Sequence, residues 1–161
     1  MKIEQPIEAQ KTVELIERGV PGVRQAKVLE FNTSSIEFDR FMRISKVAEQ
    51  VNKLKLNKNN IILDVGGFDG AFALFVPDLQ VWVIDPQTTG GSGLTIPFPD
   101  KHFDAVVSID ALEHFPRGDR HKLLRELMRV TRSKLFINFP EARSMNAQKA
   151  VLSILDNKFI R

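Results

Sequence analysis

The chain has 161 residues, 43% hydrophobic and 27% charged, which is one domain's worth of sequence with enough apolar mass for a core. It contains no cysteine, so disulfide frameworks, cysteine-ligated metals and thiol nucleophiles are excluded. A formal charge of +3 does not call for a nucleic-acid partner, no apolar run is long enough to span a membrane, and Lys2, Glu4 and Glu8 leave no visible secretory signal, so a cytoplasmic protein is expected.

The first segment, residues 1–58, reads as helical packing material. From Lys11 to Val20 the pattern puts Val13, Leu15, Ile16 and Val20 on one side of a helix that Val20-Pro21-Gly22 ends. Ser34 and Ser35 offer capping hydroxyls to a longer helix beginning near Ile36, with Phe38, Phe41, Met42, Val47 and Val51 at helical spacing as a core stripe. Lys53 to Asn60 is a basic, asparagine-rich connector, expected to be solvated.

An alternating strand and helix region follows over residues 59–140. Ile61-Ile62-Leu63-Asp64-Val65-Gly66-Gly67-Phe68-Asp69-Gly70 is an apolar run that ends in an acid and breaks into a glycine-rich turn. Glycines let backbone approach a ligand closely, and an acid at a strand's carboxyl end accepts hydrogen bonds from ammonium or hydroxyl groups. Gly70 to Val76 allows only a short helix before Pro77. Val81-Trp82-Val83-Ile84-Asp85 then repeats the strand-then-acid pattern at the spacing where nucleotide folds clamp a ribose, which points to an adenosine-containing cofactor. A dinucleotide fingerprint needs a glycine where Val65 stands, so that reading fails.

Gln87-Thr88-Thr89-Gly90-Gly91-Ser92-Gly93 reads as an irregular loop or flexible lid. Pro97 and Pro99 stiffen a connector into a strand opened by Phe103 and Asp104, with Ala105-Val106-Val107 suited to a sheet interior covered on both faces. Its end delivers Asp110, Glu113 and His114 to the ligand side. His114 is the best general-base candidate, since imidazole titrates near neutrality; the competing role is structural, paired with Glu113. Arg117 to Thr131 is an amphipathic helix with Leu123, Leu124, Leu127, Met128 and Val130 inward. Arg120, Lys122, Arg125, Arg129 and Arg132 are read as a solvated face partly paired with Asp119 and Glu126, rather than as a nucleic-acid patch. Ser133 to Pro140 is the last clear strand, and Glu141 to Arg161 reads as one helix.

Two blocks resemble a known family. Asp64, Gly66 and Gly70 match motif I of the class I S-adenosylmethionine-dependent methyltransferases, acid-x-G-x-G-x-G, with Phe68 in place of the middle glycine. Ile96-Pro97-Phe98-Pro99-Asp100, Phe103-Asp104-Ala105-Val106-Val107-Ser108 and Leu112-Glu113-His114 resemble the "LPFPD..FD.VVS...LEH" signature of its small-molecule methylases. The resemblance implies an α/β, Rossmann-like doubly wound sheet in a single domain, residues 1–161, with an N-terminal helical cap and a C-terminal helix. It implies S-adenosyl-L-methionine as cofactor, held by Asp64, Gly66, Gly67, Phe68, Gly70, Asp85, Pro86, Leu94, Thr95 and Ser108. Asp110 and His114 would be catalytic, close to a small-molecule acceptor. Phe38, Phe41 or Arg43 of the cap would be within reach of that substrate, although packing is their default role.

Three departures from the family pattern set further expectations. The helix and strand that normally follow the second strand are missing between Asp85 and Ile96, so adenine contacts fall to backbone near Leu94 and Thr95. Asp110, Glu113 and His114 form a D-x-x-E-H set that resembles a divalent-ion site in some O-methyltransferases, but no metal is expected. The final antiparallel strand pair has no sequence left to form it, so either the chain is a fragment or the edge at Leu135 to Phe139 is covered by another chain, as in a homodimer. A non-catalytic cofactor-binding or interaction module is the alternative, and a nicotinamide oxidoreductase the third reading.

Overall fold

The structure is a computed structural model, and it describes residues 12–140. In chain order the elements are β1 (Val13–Glu17), β2 (Arg24–Val28), α1 (Phe38–Asn52), β3 (Ile61–Val65), a 3-10 turn (Ala71–Phe75), β4 (Gln80–Ile84), β5 (Phe103–Ile109), a second 3-10 turn (Leu112–His114), α2 (Arg120–Val130) and β6 (Thr131–Asn138). The strands form one sheet in the order β1-β2-β4-β3-β5-β6. From β4 to β6 every pairing is parallel, whereas β1 with β2 and β2 with β4 are antiparallel.

Parallel strands need crossovers, and the crossovers cover both faces. Alternate residues of the central strands therefore feed two cores. Ile62, Val81, Val83, Ala105 and Val107 pack with Val47, Ala48 and Val51 of α1 and with Phe72. Leu63, Val65, Ile84 and Val106 pack with Leu123, Leu127 and Val130 of α2. The result is the α/β, Rossmann-like arrangement expected from the sequence.

The expected helix from Lys11 to Val20 is instead the first half of a hairpin; Lys11 itself lies outside the described residues. Val13 and Leu15 alternate with Glu14 and Ile16, and a short apolar run fits period 2 as well as period 3.6. Gly19 and Gly22, both with positive φ, turn the chain back, and the ladder from Val13↔Val28 to Glu17↔Arg24 supplies the partner that a strand needs. The N-terminal cap is thus a hairpin followed by one helix. β2 also takes the slot beside β4, the edge left open by the absent strand after β4.

Helix α1 does not use the serine caps. Glu37 is its N-cap without a side-chain bond, and the Ser34 N–H donates to Asn32 Oδ1 at 2.9 Å. Ile44, Val47, Ala48 and Val51 form the buried stripe, whereas Phe38 and Met42 are exposed. Three of the basic residues in and after α2 are internal connectors. Arg120 donates to Phe115 O, Arg129 to Glu126, Asp100 and the Phe98 and Ile96 carbonyls, and Arg132 to Asp104. Among the described residues no helix is long and apolar enough to cross a membrane, and the outer edge of β6 has no strand partner. The expected helix over 141–161 lies outside the described residues.

Candidate functional site

A parallel sheet gathers its ligand groups at the carboxyl ends of its strands, where the chain leaves for each crossover. Here β3 ends on Asp64 and the glycine turn, β4 on Asp85, and β5 on Asp110. Two cavities open there, of about 350 and about 380 Å³, sharing Gly66, Phe68 and Asp110 as their common wall. The first is completed by Arg40, Arg43, Ile44, Asp64, Gly67 and Ile109. Asp85, Pro86, Gln87, Gly93, His114 and Phe115 line the second.

The turn after β3 explains its own residues. The Gly66 N–H donates to Ile84 O at 2.8 Å, stitching the turn to β4. A Cβ at Gly67 would run into the Asp64 carboxylate, so the backbone itself roofs that acid. Phe68 stands where the family pattern has a glycine, and it adopts the glycine conformation with φ +48. A left-handed non-glycine residue costs about 1–2 kcal/mol. Thr88 Oγ1 donates to Phe68 O at 2.5 Å and helps to hold it.

Asp64 is buried, 3% exposed, and burial pushes its carboxyl up to about 7; the Arg40 guanidinium acts against this, and the charges of Asp69 and Asp85 reinforce it. Arg40 is itself committed to Asp69 by two bonds of 2.9 and 2.6 Å. Burial would raise Asp69 too, but the Arg40 pair outweighs it and holds that carboxyl below its ordinary range.

Asp85 caps its own turn. The Gln87 and Thr88 N–H groups donate to its Oδ1 at 2.8 and 3.2 Å, while its own N–H donates to Thr89 Oγ1 at 2.9 Å. The Thr89 hydroxyl in turn donates to Gly22 O at 2.7 Å, and Arg24 donates to Thr88 O at 3.1 Å. The loop after β4 is therefore tied to the N-terminal hairpin. Asp110 also has positive φ, +53, a conformation that a short polar side chain tolerates, and forms an ion pair with Arg43 of α1.

Of the expected site residues, Asp64, Gly66, Gly67, Phe68, Asp85, Pro86, Asp110 and His114 lie on the two cavities. Gly70 does not line them, because it is packed beneath Leu15, Ala26 and Val13 of the hairpin. Leu94 joins the α2-side core and Thr95 is exposed; the wall that they were expected to form is Gly93. Ser108 is buried within β5, and its Oγ has no hydrogen-bond partner among the described residues. Among the described residues no three acidic or histidine side chains converge on a metal position, and Asp110 faces Arg43 instead of Glu113 and His114.

Sequence reasoning missed Arg40, Gln87, Gly93 and Phe115 on these walls. Arg40 carried one signal: with Arg43 it is spaced i, i+3, which puts both cations on one face of α1. A larger cavity, about 460 Å³, lies on the other side of the Arg40–Asp69 pair against the hairpin, and holds neither Asp64, Asp85 nor Asp110.

Residues 63–137 match the protein family described as a methyltransferase domain. No curated protein matches the chain. Among solved structures it is similar to the PH0226 protein of Pyrococcus horikoshii OT3, at 15% identity over 78% of this chain and 65% of that one, with a TM-score of 0.56. The YcgJ protein of Bacillus subtilis aligns at 19% identity over 73% and 59%, TM-score 0.49. A candidate methyltransferase of an antibiotic biosynthesis pathway in Anabaena variabilis ATCC 29413 aligns at 25% identity over 57% and 44%, TM-score 0.47. The chain spans 44 to 65% of the length of these three proteins.

Proposed function

We propose that the chain, which carries the methyltransferase-domain match over residues 63–137, is an S-adenosylmethionine-dependent methyltransferase acting on a small-molecule acceptor. The observation that carries this reading is the pair of cavities divided by Phe68 and Asp110, one with Asp85 and the other with Asp64. An adenosine half suits the cavity with Asp85, where that residue keeps one carboxylate oxygen outside its own turn for ribose hydroxyls, and Pro86, Gly93 and Phe115 offer flat walls for a base. The amino-acid half suits the cavity with Asp64, where a cation would offset the cost of ionising that buried acid.

Bound there, the cofactor supplies an electrophilic methyl group, and displacement at that carbon is in line and governed by positioning. The chain's residues then have separable tasks. Gly67 and Phe68 hold the backbone against the ligand, Asp64 and Asp85 anchor its two ends, and Asp110 stands at the wall common to both cavities. His114, exposed and on the adenosine-side cavity, is the group available to take a proton from an acceptor.

Calorimetry with S-adenosylmethionine and S-adenosylhomocysteine tests the reading. Both should bind, and Asp85→Ala should weaken both by about 1.5–3 kcal/mol, the usual worth of a charged hydrogen bond. Unchanged affinity in the variant removes Asp85 from the site. Binding of both ligands with no methyl transfer to any acceptor would support the reading of a cofactor-binding module.

A further inference from the structure

The cavity of about 460 Å³ against the hairpin belongs to a different part of the fold from the two at the strand ends. Its floor is apolar and comes from three segments: Val13 and Leu15, alternate residues on one face of β1, Ile36 ahead of α1, and Leu74 of the first 3-10 turn. That floor is fixed, because the hairpin rests on the glycine turn so closely that a Cβ at Gly70 would meet Leu15, Ala26 and Val13. The 3-10 turn is five residues long and β2 fills the slot beside β4, so the cavity is walled by the hairpin and not by the carboxyl ends of the parallel strands.

Three charged side chains line it, Arg24, Arg40 and Asp69. Arg40 and Asp69 are spent on each other through bonds of 2.9 and 2.6 Å, and the Ala71 N–H donates to the same carboxylate at 3.1 Å. A cation entering the cavity therefore finds Asp69 already engaged. Arg24 is differently placed. Its Nη1 donates to Thr88 O at 3.1 Å and its Nη2 to Glu17 Oε1 at 3.0 Å, but Glu17 is not part of the lining and its side chain is 80% exposed, where an ion pair contributes little. A guanidinium has five N–H donors in a rigid fork suited to carboxylates, so Arg24 can hold a further carboxylate at the cavity wall. Small-molecule sites have volumes of this order, with mostly apolar walls and a few placed polar groups. We propose that this cavity is a second small-molecule site, and that it takes a compact acid: an aromatic or short aliphatic body on the floor of Val13, Leu15 and Leu74, and a carboxylate on Arg24. Such a site goes beyond the methyltransferase reading and stands without it, since it uses neither Asp64, Asp85 nor Asp110.

Calorimetry on the full chain with two probes of one shape, 3-phenylpropionate and 3-phenylpropionamide, tests the site. The acid should bind about ten-fold or more tighter than the amide. Arg24→Gln should remove that preference, weakening the acid about ten-fold and leaving the amide unchanged, so the amide also reports an intact cavity. Ser35 is exposed at the cavity wall, and Ser35→Trp should close the cavity and abolish binding of both probes with Tm unchanged. If neither probe binds the unaltered chain, if the amide binds as well as the acid, or if either probe binds Ser35→Trp undiminished, the assignment is wrong. A preference for the acid that persists in Arg24→Gln, or an equal loss of both probes there, overturns it as well.

Discussion

At the scale of single residues, Asp64 carries the sharpest consequence. Its carboxyl, raised to about 7 by burial, is protonated in the folded chain over a range where the unfolded chain has already ionised it. The native state then binds the extra proton, so this group costs the protein stability as pH rises from about 4 to about 7, after which its contribution levels off. A ligand bearing an ammonium and a sulfonium favours the ionised form. Calorimetry in buffers of different ionisation heat should therefore show a proton released on S-adenosylmethionine binding at about pH 6, fading towards about pH 9. Asp64→Asn should abolish the release.

His114 has a separate signature. It lines the cavity with Asp85, and among the described residues no hydrogen bond or ion pair is found between its ring and Glu113. If it takes the acceptor's proton, His114→Gln should lower kcat by about 100-fold or more, with cofactor affinity and Tm nearly unchanged. Equal turnover on the true acceptor ends the catalytic assignment. The acids were legible in the sequence because a strand that stops on a carboxylate before a turn has few structural excuses for it. Arg43 was legible only as a cap residue near substrate, since its partner Asp110 is far along the chain and pairing across the fold leaves no local pattern.

Among the elements, the hairpin is where the sequence misled. Val13 to Val20 has the composition of either element, and nothing nearby says that β4, dozens of residues later, has an open edge. β3, β4, β5 and α2 were legible because long apolar runs and a sustained 3.6 period are local signals. The hairpin and the loop after β4 meet closely at Gly91, where an added Cβ would strike Gly22 O and Ile84. Gly91→Ala should then push the turn off the loop, lowering stability by about 1–3 kcal/mol and weakening adenosine ligands together. Gly90→Ala is the control. It lies one residue away in open space, and should cost only its own left-handed conformation, about 1 kcal/mol, with ligand affinity retained. Thermal melts and calorimetry on both variants separate the two effects.

For the whole molecule, the parallel part of the sheet was readable because its strands alternate with crossovers, a pattern that constrains topology strongly. The side-chain ties that position the site were not, since they join distant segments: Arg24 to the Thr88 carbonyl, Thr89 to Gly22, Arg40 to Asp69. The sheet is also held unevenly. β3 meets β4 through five registered pairs, from Ile61↔Gln80 to Val65↔Ile84, whereas β2 meets β4 only at Arg24↔Val83 and Gln25↔Trp82. A seam of two pairs has fewer ladder bonds to hold it than one of five, so the hairpin is expected to open before the remainder of the sheet. Amide hydrogen exchange should find β1 and β2 losing protection together, well before β3 and β5. An adenosine ligand that braces the loop after β4 should slow that exchange, lending protection to amides that it never touches.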